Sequence, residues 1–250
     1  MTVDWESFTE KTVESAEVRL LGVVDVPSVL ALQKLMVHEV RQQSRMCAAI
    51  LICEHPPALT VGKAGSLMDL PTDRRELDAK LLSVHPVPRD GGTMLHQPGQ
   101  LAVYVVVSLS ECGFSEDEYR NRLQQAILRT CEESQVKATL RPNDPSAVWG
   151  RHGLVCDVGI AVTDGITSFG AFLNVSGRID EASLYGRGLH GDRMSSLSAE
   201  RTRPAIMAQV RSSLISHVCE QLGYPQYHIH TGHPFLKRIR RTVPTRDGSE

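Results

Sequence analysis

The chain has 250 residues, of which 41% are hydrophobic, and its formal net charge at pH 7 is -2. It contains no apolar run of about 18 residues, which excludes a membrane-spanning helix, and its near-neutral charge gives no reason to expect nucleic acid or an anionic membrane as a partner. The acidic first segment, MTVDWESFTEKTVES, lacks the apolar stretch of a secretory signal, so the expected location is the cytoplasm.

The six cysteines are scattered widely, and no two show the close spacing of a zinc knuckle or a redox motif. In a reducing compartment they are expected to remain thiols, most of them as small buried apolar groups. One of them is a candidate nucleophile. They are Cys47, Cys53, Cys112, Cys131, Cys156 and Cys219.

Hydrophobic periodicity predicts strands that alternate with amphipathic helices. The predicted strands are VRLLGVVDV (18–26), CAAILIC (47–53), LAVYVVVSL (101–109), LVCDVGIAVT (154–163) and SFGAFLNVS (168–176). The predicted helices are 28–44, 117–136 and a last one from Pro204 to a cap at Gly223. The long stretch between residues 53 and 101, rich in Gly and Pro, is expected to be irregular.

Asp164-Gly165 predicts a tight hairpin between the last two strands, so the sheet should be mixed rather than purely parallel. The predicted fold class is therefore α+β, a mixed β-sheet flanked by helices. No repeat and no Pro/Gly/Ser-rich linker divides the chain. We expect a single domain over residues 1–234 and a basic, solvated tail over residues 235–250.

Three glycine-bearing stretches are candidates for a binding site: EHPPALTVGKAGS (54–66), RDGGTMLHQPGQ (89–100) and TSFGAFLNVS (167–176). In the second, Gly91-Gly92 allows a ligand to lie against the main chain. Arg89 supplies a fixed cation, and His96 belongs to the residue type that titrates near neutral pH. A structural turn with a hydrogen-bonded histidine explains this stretch equally well.

These stretches, followed by GDRMSSLS and preceded by LGVVDVPSVLALQKLMVHEV, resemble the octanoyltransferases of lipoate biosynthesis, the lipoate-protein ligase B-like branch of the biotin/lipoate A/B protein ligase superfamily. The resemblance covers about residues 20–200. It implies a biotin/lipoate protein ligase-like fold. The implied activity moves an octanoyl group from acyl carrier protein to a lysine of a lipoyl domain, such as those of 2-oxoacid dehydrogenases or the glycine cleavage H-type protein.

The resemblance also implies an apolar slot for the acyl chain, and it requires no metal or nucleotide cofactor. Burial of each methylene in such a slot is worth about 0.8 kcal/mol. The positions that would line the slot are Arg89, Asp90, Gly91, Gly92, Thr93, Met94, Leu95 and His96, then Asp157, Val158 and Gly159, and finally Gly170, Ala171 and Phe172.

The chain departs from the family pattern at the two positions that carry the chemistry. Family members attack the donor thioester with a cysteine, and a lysine on the preceding strand activates that thiol. Arg187 occupies the cysteine position and Leu154 occupies the lysine position. Arginine stays protonated and cannot accept an acyl group, and leucine cannot lower the pKa of a thiol. Asp90 and Gln97 also replace family glycines.

Cys156 is a candidate replacement nucleophile, because side chains two apart on a strand share a face and Cys156 would then lie beside Leu154. His96 or His190 would be its base, and Arg187 would stabilise the thiolate. A buried, inert thiol is the competing interpretation. Two further alternatives are a homologue without turnover that binds an acyl group, acyl carrier protein or lipoyl domain, and an ATP-dependent ligase.

One further pattern contains residues that could bind a metal. His228, His230 and His233 form a His-x-His-x-x-His pattern that matches zinc ligands by residue type, although no cysteine or carboxylate stands nearby in sequence. We interpret the pattern as structural or adventitious and expect no metal site. Trp149 and His55 are expected to pack within the fold.

Overall fold

The computed structural model describes residues 15–42, 48–70, 74–185 and 193–236. Its strands are β1 (Ala16–Val23), β2 (Ala48–Glu54), β3 (Ala58–Val61), β4 (Ser83–Pro86), β5 (Thr93–His96), β6 (Gln100–Val107), β7 (Thr139–Arg141), β8 (Asp144–Trp149), β9 (Leu154–Thr163), β10 (Ile166–Asn174) and β11 (Tyr227–Thr231). Its helices are α1 (Val26–Arg41), α2 (Arg74–Ala79), α3 (Leu109–Cys112), α4 (Glu116–Glu133), α5 (Ile179–Leu184) and α6 (Met207–Gln221), with a 3-10 turn at Leu67–Asp69.

Two sheets form the core of the molecule. The large sheet has eight strands in the order β11-β1-β2-β6-β10-β9-β8-β7, and the small one has three in the order β4-β3-β5. β1 pairs in parallel with both β2 and β11, whereas β6, β10 and β9 pair with antiparallel neighbours. The predicted mixed sheet and α+β class are confirmed.

The predicted elements are present with small shifts of their ends, because local signals define them. The Asp25 side chain accepts a hydrogen bond from the Ser28 amide and caps α1, and Ser115 caps α4 in the same way. Asp164 and Gly165 both have positive φ, 52° and 75°, which is the conformation of a two-residue hairpin turn. The predicted hairpin between β9 and β10 is confirmed.

The expectation of an irregular stretch between residues 53 and 101 was wrong. This stretch contains the whole small sheet, with β3 parallel to β4 and antiparallel to β5. Its strands have only four residues each, too few for a hydrophobic period to be read from sequence. The small sheet is the element that places the glycine-bearing loop against the large sheet.

The large sheet has helices on both faces. One face packs on α4 and α6 through a cluster that includes Ile50, Val103 and Val158. The other packs on α1 through a second cluster that includes Leu32 and Phe172. Among the described residues, no helix is both long enough and apolar enough to cross a membrane. The tail predicted for residues 235–250 lies outside the described residues except for Phe235 and Leu236.

Candidate acyl-binding site

The glycine-bearing loop at residues 89–92 joins the two sheets. On one side, the amides of Gly62 and Ala64 donate to the carbonyls of Gly92 and Gly91, at 3.1 and 3.0 Å. On the other side, the amide of Asp90 donates to the carbonyl of Ile160 in β9, at 2.9 Å. β8 is shorter than β9 and pairs with it only as far as Asp157. Beyond this point, the loop takes the place of β8 and hydrogen-bonds to the edge of β9.

Arg89 projects from this loop into the interior, where its side chain is fully buried. Its guanidinium donates to the carbonyls of Asp90 and Gly92 and to the Thr60 hydroxyl, at 2.7, 3.0 and 3.1 Å. It also lies 3.7 Å from the buried Asp157 carboxylate and 5.6 Å from the centre of the Phe172 ring. The arginine that the sequence marked as a ligand-loop cation therefore holds the loop closed over β9 and β10.

Gly159 makes this approach possible. A Cβ at this position would lie 3.0 Å from the Asp90 carbonyl oxygen and 3.1 Å from the Arg89 Cδ. Any larger residue would thus push the loop and the arginine side chain away from β9. The structure brings four of the predicted slot residues, Arg89, Asp157, Gly159 and Phe172, to one face of the sheet.

Not all predicted slot residues share this face. The side chains of Val158 and Ala171 belong to the cluster under α4 and α6, on the opposite face, because alternate strand residues point to opposite sides. Gly170 is needed for another reason, since a Cβ there would meet the Val103 carbonyl of β6 at 2.4 Å. The prediction that Val158 and Ala171 line the slot was wrong for their side chains, whereas Gly170 lies opposite Gly159 and shares its face.

β5 divides the remaining predicted residues. Met94 and His96 face the large sheet, while Leu95 lies in a third apolar cluster on the other side. Thr93 shares the face of Leu95 by strand alternation and is 3% exposed. The two faces of this short strand therefore border two different buried regions.

Asp90, which stands where the family has glycine, is tied to α4. Arg120 donates to the Asp90 carboxylate at 2.6 Å and to the Val158 carbonyl at 3.1 Å. No sequence signal links two residues so far apart, and sequence reasoning missed this pair. Through it, the helix layer holds the loop against the exposed edge of β9.

We expect Arg120→Met to loosen this loop while the fold is kept. The pair is partly exposed, with side-chain exposures of 17% and 39%, so the loss of global stability should be only about 1 kcal/mol. Hydrogen exchange of the Asp90 amide should become several-fold faster. Arg122→Met, which breaks the exposed Glu118 pair on the same helix, is the control and should leave this amide unchanged. Equal exchange in both variants would contradict the role of Arg120.

His96 is buried, and both of its ring nitrogens bind groups within the protein. The Gln100 side-chain amide donates to the Leu95 carbonyl and to Asn174, which leaves its Oε1 as the acceptor for His96 Nδ1–H at 2.8 Å. His96 Nε2 then accepts from the Thr60 hydroxyl at 2.8 Å. This assigns a neutral histidine with a single tautomer, and burial lowers its pKa well below the usual value.

His96 is therefore a positioning residue. The predicted role of a base, or of a group that polarises the thioester, requires a ring nitrogen that reaches the substrate, and here neither does. Its partners Thr60, Gln100 and Asn174 were missed by sequence reasoning. The signal that could have found Gln100 is its position four residues after the histidine, across the Pro98-Gly99 turn.

A second buried histidine lies against the first, with ring centres 5.3 Å apart. His55 Nδ1 donates to the Val24 carbonyl at 2.6 Å, so its Nε2 accepts from the Tyr104 hydroxyl at 2.8 Å. Burial lowers the pKa of His55 to about 4. The expectation that His55 packs within the fold agrees with this position. Like His96, it is held neutral.

The two histidines predict acid-sensitive stability. Because the folded-state pKa of His55 is about 4 and the unfolded value is 6.5, the unfolded chain binds more protons between these values. Stability should fall as the pH drops from about 6.5 towards 4, by of the order of 3 kcal/mol for His55, and His96 adds a loss of the same sign.

Urea unfolding at pH 7 and pH 5 measures this loss. His55→Phe should reduce the difference between the two pH values, and His228→Gln on the exposed strand β11 is the control that should not. A pH difference unchanged by His55→Phe would show that other groups cause the acid lability.

Cys156 does not lie beside Leu154, and the expectation of a shared face was wrong. In the β8–β9 pairing, Trp149 is opposite Leu154 but Val148 is opposite Cys156, so Val155 is an extra residue in β9. Such a bulge breaks the two-residue alternation. Val155 and Cys156 both turn into the cluster beneath α4 and α6, while Leu154 faces the third cluster. The Cys156 thiol is buried on the side of the sheet away from Arg89.

Three other described cysteines, Cys53, Cys131 and Cys219, are also unsuited to act as the nucleophile. Burial raises the pKa of Cys131 and of Cys219 to about 12, and it raises the pKa of Cys53 further. Thiols of this kind are poor nucleophiles near neutral pH. The five described cysteines are thiols without disulfides, as expected, and Cys47 is outside the described residues.

Leu154, at the family's lysine position, is fully buried at the beginning of β9. Its amide donates to the Arg193 carbonyl, and its carbonyl accepts from the Ser195 amide, so the segment after α5 runs alongside it. Its neighbours are the apolar side chains of the third cluster, which we name the Leu154 cluster: Leu59, Leu77, Leu82, Leu95, Ala147, Trp149, Ala182, Tyr185 and Met194. Arg187 and His190, the other predicted participants, lie outside the described residues.

The histidine pattern near the C-terminus lies on the edge strand β11 and just after it. His230 Nε2 contacts the Glu17 carboxylate at 2.8 Å, and His230 and His233 border a surface cavity of about 640 Å³. Within the described residues, no group of three or more histidine, cysteine or carboxylate side chains is arranged to hold a metal ion. The pattern is separate from the Arg89 region.

Comparison with known proteins agrees with this geometry. The model of the lipoyl protein ligase A/B catalytic domain matches residues 25–219. The octanoyltransferase of Corynebacterium jeikeium is 30% identical over 218 residues, covering 83% of this chain and 87% of that protein. The octanoyltransferase of Roseiflexus sp. is 29% identical over 203 residues, covering 80% and 84%.

Solved structures show the same fold at low identity. A lipoate-protein ligase A bound with ATP superposes with a TM-score of 0.72 at 14% identity, covering 88% of this chain and 90% of that chain. A bipartite lipoate protein ligase from Thermoplasma acidophilum gives 0.68 at 15% identity, with 88% of both chains covered. The family model spans most of the chain, from α1 into α6. The chain therefore belongs to the lipoyl protein ligase A/B catalytic domain family.

Proposed function

We propose that this protein is an octanoyltransferase that moves an octanoyl group from its carrier protein to a lysine of a lipoyl domain. The observation that carries the proposal is the loop at residues 89–92, which Arg89 seats on Gly159 of β9 at the positions of the family's acyl slot. The sequence relatives named octanoyltransferase support the same assignment. The family membership and the apolar clusters on both sides of β5 support an acyl group as the ligand.

The chemistry should proceed by direct transfer rather than through a cysteine adduct. Leu154 cannot activate a thiol, and Cys156 is buried on the face away from the loop. In direct transfer, the acceptor lysine amine attacks the thioester carbonyl carbon. A C–N bond forms, the C–S bond breaks, and the amine proton ends on the departing thiol. The protein's part is to hold the acyl chain and the carbonyl in position.

The test uses purified full-length protein with octanoyl-acyl carrier protein and an unmodified lipoyl domain, from a 2-oxoacid dehydrogenase or an H-type protein. Intact mass spectrometry should detect the octanoyl adduct on the lipoyl domain. Cys156→Ser should transfer at the wild-type rate, and no acyl adduct should accumulate on the transferase. A thioester adduct on this chain, or loss of transfer in Cys156→Ser, would contradict direct transfer.

A second candidate function is binding without turnover, and the replacement of both chemical positions favours it. In that case the protein would bind the octanoyl carrier protein or the lipoyl domain, and no octanoyl group would appear on the acceptor. Isothermal titration with each partner, run beside the transfer assay, separates the two functions. Binding without transfer would overturn the enzyme proposal and support this one.

A further inference from the structure

Trp149 carries a buried hydrogen-bond donor that the fold does not use. The residue is only 6% exposed, and its indole Nε1–H has no hydrogen-bond partner among the described residues. Buried polar groups without partners are uncommon in native proteins, because an unmade hydrogen bond costs the desolvation of the group. An orphaned donor of this kind therefore suggests a partner that arrives with a ligand.

Trp149 lies beside Leu154, the residue at the family's lysine position. Trp149 in β8 stands directly opposite Leu154 in β9, so both side chains point to the same face, and both belong to the Leu154 cluster. The Arg141 guanidinium lies 3.7 Å from the centre of the indole ring and restricts the ring's orientation. The donor is thus held at a defined place within a buried apolar cluster.

A second buried polar atom without a partner borders the same region. Thr93 Oγ1 makes no hydrogen bond within the part of the chain that the structure describes. Its side chain points to the face of β5 that Leu95 contributes to the Leu154 cluster. Apolar walls that carry a few unpaired polar atoms are typical of sites for ligands with one polar group on an apolar chain. A medium-chain acyl thioester has this composition.

We propose that the Trp149 indole N–H binds the carbonyl oxygen of the acyl group. The carbonyl end lies beside Leu154, and the chain continues along the same sheet face, past the Ala147–Asp157 pair, to the loop that Arg89 holds. The inference rests on the proposed octanoyl function and names the group that orients the carbonyl. The donor stabilises the negative charge that develops on this oxygen when the acceptor amine attacks, without being consumed. Leu154 cannot make the polar contact that a lysine would make at its position. Trp149, directly opposite, supplies a polar contact with a neutral donor instead.

The test observes the donor directly. The chain has two tryptophans, Trp5 and Trp149, so an indole-¹⁵N-labelled protein gives two side-chain resonances, and Trp5→Phe assigns them. Saturation with octanoyl-pantetheine should shift the Trp149 Nε1–H resonance downfield. S-octyl-pantetheine keeps the chain but lacks the thioester carbonyl, so it should bind without this shift. A resonance that does not move with bound thioester would overturn the inference.

Trp149→Phe removes the donor and keeps an aromatic ring. Because no hydrogen bond is lost, this variant should still fold, and its loss of stability should be limited to the packing that the smaller ring gives up. It should bind octanoyl-pantetheine about tenfold more weakly and S-octyl-pantetheine with unchanged affinity. An equal loss for both ligands would show that Trp149 only packs, and the inference would be wrong.

The outcomes separate this inference from the proposed function. A carbonyl-dependent shift in a protein that transfers no octanoyl group would support the role of Trp149 and favour the binding function over the enzyme. Transfer at wild-type rate by Trp149→Phe would retain the enzyme and overturn the role of Trp149. If neither pantetheine ligand binds, both the acyl site and this inference are wrong.

Discussion

Replacement of Arg89 by methionine is expected to lower the free energy of unfolding by about 3–5 kcal/mol. The buried Asp157 carboxylate would lose the guanidinium that lies 3.7 Å away. The carbonyls of Asp90 and Gly92 and the hydroxyl of Thr60 would lose a donor at the same time. Urea unfolding followed by circular dichroism measures the change.

Two variants distinguish charge from geometry at this position. Arg89→Lys keeps the charge but not the several fixed donors, so its loss should be intermediate. Combining Arg89→Met with Asp157→Asn should cost less than the sum of the two single losses, because neither charge is then left in the interior. Additive losses, or an unfolding midpoint of Arg89→Met equal to wild type, would refute the assigned role of the ion pair.

Leu154→Lys is expected to destabilise the protein by about 4 kcal/mol or more at pH 7. The substitution restores the family residue but places an ammonium group in the Leu154 cluster, where burial lowers a lysine pKa by about 3–5 units. The unfolded chain then binds more protons than the folded one, so the variant should regain stability as the pH rises towards about 10. Urea unfolding at about pH 7 and about pH 9.5 measures this gain in stability.

Leu154→Met is the matched control, because it keeps an apolar side chain of similar volume and should cost less than about 1.5 kcal/mol. If the lysine variant were as stable as the methionine variant at pH 7, Leu154 would not be enclosed by apolar side chains in solution. Leu154→Lys alone should also not create a cysteine nucleophile of the family type, because Cys156 lies on the opposite face of the sheet.

Features encoded over a few residues were predictable. The Asp164-Gly165 turn needs only two residues with positive φ, and the sequence pair that favours this conformation identified it. Long apolar strands such as β6 and β9 were identified for the same reason, since their composition suits burial on both faces. The four-residue strands of the small sheet carry too little periodicity for such a prediction.

Cys156 shows where periodicity misled the interpretation of the site. Strand alternation placed it beside Leu154, but the extra residue Val155 turned it to the other face. A bulge depends on how β8 pairs with β9, and no short pattern in β9 records it. Ala171 and Phe172, by contrast, follow ordinary alternation, so Ala171 lies beneath α4 and α6 while Phe172 lies beside Arg89.

The amino-acid sequence alone was sufficient for the fold class, the family and the loop at residues 89–92, because each of these depends on local patterns of residue type. The roles of the side chains depended on contacts between distant segments: Arg89 with Asp157, Arg120 with Asp90, and His96 with Thr60. These contacts form only when the two sheets close on each other. Burial and hydrogen bonding then decide which of the chemically capable residues are available to a substrate.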